Sequence, residues 1–267
     1  MDISENYLNN KILIAGPCVM QDLDEAIEIA NQVKSSGISH GFHPIFKASF
    51  DKANRTSKGG FRGIGMKKAL KNLKYISEKV GIQTITDVHE SHQVKIVSSF
   101  VDYLQIPAFL ARQTDLIKAC AGSGKPTMVK KPQFISHYST QYIEEKYYGF
   151  GGAEMLICER GNTFGYTDLI VDVTSIDRLK ESCPRSRVIL DCTHSLQIPN
   201  RGEKTEGNSK YIETMVKFGA VMGADGIFIE THPEPSRSPS DSENMLPLDL
   251  LDSVLSKAQK IYESTQN

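Results

Sequence analysis

Residues that could bind phosphate and a metal ion stand at the ends of short apolar runs in this chain. Eight such runs end on, or are followed directly by, Cys18, Lys47, Asp87, Gln105, Lys130, Arg160, His194 and Glu230. Lysine and arginine hold anionic oxygens, and a thiol, an imidazole and a carboxylate are ligands for divalent transition metals. The combination of residue types predicts a site for an anionic substrate and a metal.

The segment after the second run is the most basic of these. FKASFDKANRTS places Lys47, Lys52 and Arg55 within nine residues. The hydroxyl and amide side chains between and after them belong to Ser49, Asn54, Thr56 and Ser57. Phosphate binding needs several donors that converge from one side, and arginine adds a planar fork suited to two oxygens. A solvated basic loop is the alternative, but the position directly after an apolar strand favours phosphate or sugar-phosphate binding.

Two lysines, Lys130 and Lys131, end the fifth run, and Arg160 ends the sixth. Side chains alternate across a strand, so only one of the two lysines points to the inner face and the other meets helices or solvent. A buried cation requires an anionic partner. Lys47, the inner lysine and Arg160 are therefore predicted to form a cationic site for a small dianion or trianion.

A mixed ligand set indicates a divalent metal. Cys18, His194 and Glu230 each follow an apolar run, and Asp241 lies in the segment after the last one. Taken singly, Cys18 also fits a small buried apolar residue and His194 a hydrogen-bonded core histidine. Asp87 belongs to TDVHE, which fits either an acid/base group or the N-cap of a helix.

The elements that must position these residues alternate between strand-like and helix-like patterns. The runs ILIAGPC, PIFKAS, QTITDVHE, YLQIPAF, TMVKKPQ, MLICER, RVILDCTH and GIFIETH are mostly separated by amphipathic stretches. Helices are predicted in DLDEAIEIANQVKSS, GIGMKKALKNLKYISEKVG, RQTDLIKACAGSG, SKYIETMVKFGAVMG and LDLLDSVLSKAQKIYES. Parallel strands buried on both faces read as near-continuous apolar runs. Eight repeats predict an α/β fold, a single (β/α)₈ TIM barrel over 1–267, with its site at the C-terminal mouth. Three longer connections are expected on the mouth side, namely Phe50 to Arg62, Thr193 to Ser209 and Thr231 to Pro247.

Composition narrows the functional classes. The 267 residues carry a net charge of −1 and 39% hydrophobic residues, and five cysteines show no disulfide-scaffold spacing. A charge near zero gives no general attraction to nucleic acid or an anionic membrane. No run approaches the roughly 18 apolar residues of a membrane span, and the polar opening residues lack the pattern of a secretory signal. We expect a cytoplasmic protein with reduced thiols that binds neither nucleic acid nor membrane.

Several motifs together resemble one enzyme family. AGPC, FKASFDKANR, TDVHE, QIPAFLARQTDL, VKKPQF, ERGNTFGY, DCTHSLQ and FIETHPEP are similar to the 3-deoxy-D-manno-octulosonate 8-phosphate (KDO8P) synthases, in order from about Lys11 to Leu250. The resemblance implies condensation of phosphoenolpyruvate with arabinose 5-phosphate and water. The implied products are the eight-carbon 3-deoxy sugar phosphate, used for lipopolysaccharide, and inorganic phosphate.

The resemblance also implies roles for individual residues. Phosphoenolpyruvate-contacting positions fall on Lys47, Ser49, Gln105, Ala108, Lys130 and Arg160. Positions that hold the pentose phosphate fall on Lys52, Asn54, Arg55 and Thr56. Arg112 falls where the family reaches the phosphosugar across a subunit contact, which implies a homotetramer. Asp87 and His194 are the candidates for proton transfer.

The metal requirement divides the family at the first strand. The metal-dependent branch carries cysteine there and the other branch asparagine, so Cys18 implies a divalent cation such as zinc, iron, manganese or cobalt. His194, Glu230 and Asp241 match the other ligand positions. Some positions depart from the family pattern, namely Gln21, Thr56, Ser57, Lys58-Gly59-Gly60 and the segment RGEKTEGNSK. These departures bear on loop closure and affinity more than on reaction type.

Two other functions compete with this interpretation. One is a related synthase that makes the seven-carbon shikimate precursor or uses an amino sugar, and the KANR run argues against both. The other is a catalytically silent barrel that senses sugar phosphates, which would not require four metal ligands.

Overall fold

The computed structural model describes residues 11–53, 58–163, 168–198, 206–240 and 242–265. Eight parallel strands form a closed barrel in chain order, because the last strand also pairs with the first. The strands are β1 Lys11–Gly16, β2 Phe42–Lys47, β3 Gln83–Asp87, β4 Tyr103–Ile106, β5 Thr127–Lys130, β6 Met155–Glu159, β7 Arg187–Asp191 and β8 Gly226–His232. The predicted (β/α)₈ barrel is confirmed.

One α-helix follows each strand within the described residues. The helices are α1 Leu23–Ser39, α2 Met66–Ile76, α3 Ser91–Val97, α4 Thr114–Gly122, α5 His137–Gly149, α6 Ser175–Ser182, α7 Ile212–Val221 and α8 Leu251–Thr265. The second helix begins at Met66 and not at Gly63 as its sequence pattern suggests. Gly63 and Gly65 have φ of 125° and 89°, a left-handed backbone that no right-handed helix contains. Across the described ranges, no helix is both long and apolar enough to span a membrane.

The strands are apolar on both faces because each face packs in a different layer. In β1, Ile12 and Ile14 point into the barrel, and Leu13 and Ala15 point toward the helices. Every strand contributes to the inner layer, which consists of Ile12, Ile14, Ile45, Ile85, Tyr103, Met128, Leu156, Cys158, Ile189 and Phe228. This filled interior supports the polar residues at the strand ends.

The strand register brings the carboxyl ends of the strands to one rim. Gly16 is paired with Glu230, Asp87 with Gln105, and Lys130 with Cys158. Residues that are more than 200 positions apart in the chain therefore lie on neighbouring strands. This rim is the mouth of the barrel.

The long connections after β2, β7 and β8 leave from the mouth, as predicted. The connection after β8 returns to the strand that it left: Leu246–Pro247 pairs in parallel with Thr231 and His232. The Thr231 hydroxyl donates a hydrogen bond to the Leu246 carbonyl oxygen at 2.8 Å. Both ends of this connection are therefore tied to β8.

Candidate active site

Lys47, at the end of β2, lies at the centre of the mouth. Its ammonium donates hydrogen bonds to the carbonyl oxygen of Cys18 (3.2 Å), the hydroxyl of Ser49 (3.1 Å) and Oε1 of Glu230 (3.1 Å). Oδ1 of Asp87 lies 4.0 Å away. The side chain is 2% exposed, so these oxygens replace the water that a lysine normally binds. One cation thus joins β1, β3 and β8.

Asp87 ends β3 and accepts hydrogen bonds from its neighbours. The Ser49 hydroxyl donates to both of its oxygens, at 2.8 and 2.9 Å, and the Gln105 amide donates to Oδ1 at 3.3 Å. Burial by itself would raise the pKa of Asp87, but Lys47, His89 and Lys52 outweigh burial and hold that pKa well below its usual range. Asp87 is therefore a carboxylate at neutral pH, and it orients Ser49 and Gln105.

Lys130, at the end of β5, points into the barrel as one of the two lysines was predicted to do. Its ammonium lies 2.6 Å from Oδ2 of Asp191, 3.3 Å from Sγ of Cys158 and 3.2 Å from the centre of the Phe228 ring. Asp191 is the last residue of β7 and was not among the residues predicted from the sequence. The run RVILD ends on this carboxylate, which was the signal available to find it.

Asp191 also holds His194. The Nδ1 atom of His194 lies 2.9 Å from Oδ2 of Asp191, and the backbone N–H groups of Thr193 and His194 donate to Oδ1. Burial raises the pKa of Asp191, but His194 and Lys130 outweigh it, so the pKa lies well below its ordinary value. When Nδ1 carries the ring proton and donates a hydrogen bond to Asp191, Nε2 presents a lone pair toward the mouth.

Arg160 follows β6 and is 7% exposed. One terminal nitrogen donates to Oε1 of Gln133 at 3.1 Å, and the other to Oε1 of Gln197 at 2.7 Å and to the His194 carbonyl oxygen at 3.4 Å. These three contacts fix the orientation of the guanidinium. The contacts hold that charge at the rim of the mouth.

Lys131 is the outward-facing lysine, and its surroundings are more specific than the helices or solvent expected from strand alternation. Its side chain is fully buried, and its ammonium lies 3.5 Å from Oε1 of Glu159, the last residue of β6. Glu159 is fully buried as well, and its Oε2 lies 3.3 Å from Nε2 of His137. This charged cluster lies outside the barrel lumen, between β5, β6 and the start of α5.

Three of the four predicted metal ligands lie at the same side of the mouth. Nε2 of His194 is 3.6 Å from Oε1 of Glu230, and Lys47 contacts both that oxygen and the Cys18 carbonyl oxygen. The Cys18 thiol lies 3.1 Å from the hydroxyl of Ser240. In the described part of the chain, no three His, Cys, Asp or Glu residues form a group that could hold a metal by themselves. Asp241, which directly follows Ser240, lies outside the described residues.

An imidazole nitrogen that lies 3.6 Å from a carboxylate oxygen, as in His194 and Glu230, is a pair of donors that divalent transition metals accept. The hydrogen bond from Nδ1 to Asp191 is the contact that typically orients a metal-binding histidine. The residues present therefore fit the cation that the sequence implies.

The remaining predicted residues occupy several places. Lys52 is 8% exposed, and its positive charge helps to lower the pKa of Asp87. Ala108 is buried in the short helix that follows β4. Arg112 is exposed beyond that helix. Glu90 is the N-cap of α3, so the N-cap alternative for TDVHE applies to Glu90. Three predicted pentose-phosphate residues, Asn54, Arg55 and Thr56, lie outside the described residues.

Comparison with known proteins identifies relatives along nearly the whole chain. Residues 7–267 match the model of a family described as the DAHP synthetase I family. A 2-dehydro-3-deoxyphosphooctonate aldolase of Bordetella petrii is 40% identical over 262 residues, which cover 95% of this chain and 91% of the relative. Proteins of the same name from Xanthomonas oryzae pv. oryzae and Xanthomonas campestris pv. campestris are 39% and 38% identical over 256 residues. These alignments cover 95% of this chain and 92% of each relative.

Proposed function

Because the chain belongs to the DAHP synthetase I family, we propose that it catalyses the reaction of its 2-dehydro-3-deoxyphosphooctonate aldolase relatives. In the synthetic direction, phosphoenolpyruvate, arabinose 5-phosphate and water give 3-deoxy-D-manno-octulosonate 8-phosphate and inorganic phosphate. The product is a precursor of lipopolysaccharide, and we expect the enzyme in the cytoplasm.

One observation carries this proposal: two nearly solvent-free ammonium groups face the ring of Phe228 at the mouth. Lys130 lies 3.2 Å and Lys47 5.7 Å from the centre of that ring, and both are at most 5% exposed. Arg160 lies at the same rim. A buried cation is costly unless function or a partner compensates for its desolvation. Phosphoenolpyruvate carries a phosphate and a carboxylate, and it matches such a group of cations in charge.

The two lysines are already compensated in part, since Lys47 contacts Glu230 and Lys130 contacts Asp191. Arg160 adds a planar fork of donors, which suits the oxygens of a phosphate or carboxylate group. We assign Lys130 and Arg160 to the phosphoenolpyruvate anion. Lys47, Ser49, Gln105 and Ala108 line the adjoining part of the same subsite.

The reaction joins three components in one balanced sequence. The oxygen of water adds to C2 of phosphoenolpyruvate as C3 attacks the aldehyde carbon of the pentose, whose oxygen takes up one proton of that water. The C2–O bond to phosphate then breaks, the new C2 hydroxyl gives up its proton, and C2 becomes the ketone of the product. Negative charge develops on the aldehyde oxygen, and fixed cations near that atom lower the barrier. Breaking of the C–O bond leaves phosphate as the departing dianion, which Lys130 and Arg160 continue to hold.

The proton transfers fall to groups beside these cations. Asp87 is ionised at neutral pH, so it accepts hydrogen bonds and positions Ser49 and Gln105 more readily than it donates a proton. His194 is a candidate to move a proton only while Nε2 does not bind the cation, because Asp191 already holds its Nδ1. Lys52, Asn54, Arg55 and Thr56 hold the pentose phosphate in this proposal, and Arg112 completes that subsite from a neighbouring subunit of a homotetramer.

Cys18, His194, Glu230 and Asp241 would hold a divalent cation such as zinc, iron, manganese or cobalt. Such a cation would supply Lewis acidity and would help to orient the reactants. The support for this ligand set is the separation of 3.6 Å between His194 and Glu230, and the Lys47 ammonium that contacts both Glu230 and the Cys18 carbonyl oxygen.

The reaction is tested by release of inorganic phosphate with paired substrates. We expect release with phosphoenolpyruvate and arabinose 5-phosphate, and much slower release when erythrose 4-phosphate replaces the pentose. In ¹⁸O-labelled water, the released phosphate should remain unlabelled because the C–O bond breaks. Preference for the four-carbon sugar would assign the chain to the seven-carbon synthases, and labelled phosphate would refute C–O cleavage.

The metal is tested separately by treatment with a chelator. Stripped protein should lose phosphate release and regain it with manganese, iron, zinc or cobalt, while Cys18→Ala should bind the added metal more weakly by equilibrium dialysis. Full turnover by the stripped protein would remove the cation from the mechanism.

A further inference from the structure

The charged cluster of Lys131, Glu159 and His137 lies just outside the lumen, beneath the segment that carries Arg160. All three side chains are at most 8% exposed. Two charged residues and a histidine in a space that apolar residues could fill usually contribute little net stability. The contacts of these three residues instead show how they hold the chain around Arg160.

The cluster begins with a cross-strand pair. Lys130 is in register with Cys158, and the Lys131 N–H donates to the Cys158 carbonyl oxygen at 2.8 Å. Lys131 and Glu159 are therefore neighbours on the outer face, just as Lys130 and Cys158 are neighbours on the inner face. At the end of each of these two strands, one residue therefore faces the lumen and the next one faces the cluster.

The cluster binds the chain on both sides of Arg160. Oε1 of Glu159 accepts a hydrogen bond from the Gly161 N–H at 2.5 Å. The Lys131 ammonium donates to Oδ1 of Asn162 at 2.8 Å and to the Gly161 carbonyl oxygen at 3.5 Å. Gly161 adopts a left-handed backbone, with φ of 83°, and turns the chain immediately after Arg160. The residues directly before and after Arg160 are thus fixed by buried charges.

The same cluster also fixes the chain that follows β5, which carries the Arg160 acceptor Gln133. Lys131 donates to the Pro132 carbonyl oxygen at 3.2 Å, and the Thr163 N–H donates to the Gln133 carbonyl oxygen at 2.9 Å. The side chain of Gln133 in turn accepts a hydrogen bond from Arg160. The guanidinium and one of its acceptors are therefore both set by the position of Lys131.

We propose that Lys131 and Glu159 are positioning residues that join the ends of β5 and β6 and thereby orient Arg160 toward the anionic substrate. His137 supports the second oxygen of Glu159 from the start of α5. The inference rests on the proposed function, because it takes phosphoenolpyruvate as the ligand of Arg160. Neither Lys131 nor Glu159 touches the substrate in this proposal.

The test separates orientation from folding by three variants. Lys131→Met leaves Glu159 without its lysine, Glu159→Gln leaves Lys131 without its carboxylate, and the double variant Lys131→Met/Glu159→Gln removes both charges. The amide oxygen that Glu159→Gln introduces still accepts a hydrogen bond from the Gly161 N–H. The double variant should therefore recover much of the melting temperature that either single variant loses, because neither buried charge is left without its partner, although the acceptors of the Lys131 ammonium lose their donor.

Positioning predicts that the double variant does not recover its kinetics. The KM for phosphoenolpyruvate should remain raised about tenfold or more, since a displacement of about 1 Å in a reacting site costs up to about 100-fold. The KM for arabinose 5-phosphate should stay within about twofold of the wild type. Recovery of both the melting temperature and the phosphoenolpyruvate KM would show a purely structural pair and overturn the proposal.

A control lysine with similar partners but a 39% exposed side chain lies at the opposite end of the barrel. Lys180 donates to the Gly223 carbonyl oxygen at 2.7 Å and lies 3.2 Å from Oδ1 of Asp225, a similar pattern to Lys131. Lys180→Met should lower stability slightly and leave both KM values unchanged. A raised phosphoenolpyruvate KM in this control would mean that the kinetic readout reports general loosening, and it would overturn the assignment.

A second readout needs no substrate, so it separates failure of this inference from failure of the proposed function. Phenylglyoxal modifies accessible guanidinium groups, and peptide mass spectrometry gives the rate at each arginine. Arg160 should react at least about threefold faster in the double variant than in the wild type, while exposed Arg237 reacts equally in both. Equal rates at Arg160 would overturn the positioning role. If Arg160 reacts faster in the double variant but the wild type releases no phosphate, only the proposed function would be overturned.

Discussion

The contact between Lys130 and Asp191 should be the strongest pairwise interaction at the mouth, and replacing Asp191 by asparagine tests it. The two charged atoms lie 2.6 Å apart, and both side chains are at most 6% exposed. Breaking one partner of a buried pair typically costs about 3–5 kcal/mol. We expect about 3 kcal/mol, because Lys130 keeps its contacts with Cys158 and the face of the Phe228 ring.

The geometry of the site explains why asparagine is a poor substitute. One oxygen of Asp191 accepts two backbone N–H bonds, so the amide oxygen of asparagine takes that place. Its NH₂ group then faces the Lys130 ammonium and Nδ1 of His194, which are donors. The melting temperature should fall by roughly 6–12 °C, given about 2–4 °C per kcal/mol for a chain of this size.

The assay is a double-mutant cycle measured by urea denaturation. Asp191→Asn, Lys130→Met and the double variant should give a coupling energy of about 2 kcal/mol, because the double variant leaves no buried charge unpaired. The pair Lys180 and Asp225 is the control: its atoms are 3.2 Å apart but its side chains are 39% and 25% exposed. Exposed pairs couple by about 0.2–1 kcal/mol. A coupling energy at Lys130 and Asp191 no larger than in this control would refute the reasoning.

Three further predictions concern the segment around Arg160. Gly161→Ala should destabilise the fold by about 1–2 kcal/mol and more than Gly151→Ala, since both glycines have left-handed φ but only at Gly161 would a Cβ approach the Ile170 carbonyl oxygen, at 3.2 Å. Equal losses in urea denaturation would contradict this. Arg160→Lys should raise the phosphoenolpyruvate KM about tenfold, because an ammonium cannot keep the fork geometry, and an unchanged KM would exclude Arg160 from that subsite. The neighbours of Glu159 outweigh burial and lower its pKa below 4.5, so its contribution to stability is present above pH 4.5 and is lost as the pH falls through the lowered value. Unfolding free energies between about pH 6 and 3 should therefore fall less steeply in Glu159→Gln, and identical slopes would contradict this.

Much of the fold could be predicted because a closed parallel barrel leaves a simple pattern in the sequence. Each of the eight apolar runs became a strand, since strands buried on both faces carry few polar residues until they reach the mouth. The same rule placed Lys47, Asp87, Lys130 and Glu230 at one rim. The rule that all strands point the same way needs no knowledge of side-chain contacts.

The partners of these residues could not be predicted, because they depend on the pairing of strands and on turns. The run RVILDCTH contains both Asp191 and His194. The imidazole lies against the carboxylate only because the chain turns into the short helix His194–Leu196 directly after β7. Strand alternation predicted that Lys131 faces outward. Its pairing with Glu159 requires the register of β5 against β6, which no local pattern contains.

The return of the chain to β8 at Leu246–Pro247 should allow part of the segment between residues 233 and 245 to change in length at little cost in stability. Because hydrogen bonds clamp both ends of this segment beside one strand, a change in length at its mostly exposed residues 233–237 alters chiefly the closure entropy of a pinned ring. Such a change leaves Ser240, which contacts the Cys18 thiol, and the proposed ligand Asp241 in the chain. The closure entropy changes slowly, by about 0.6 kcal/mol for each doubling of loop length. Insertions or grafted peptides among residues 233–237 should therefore leave the strand pairing intact.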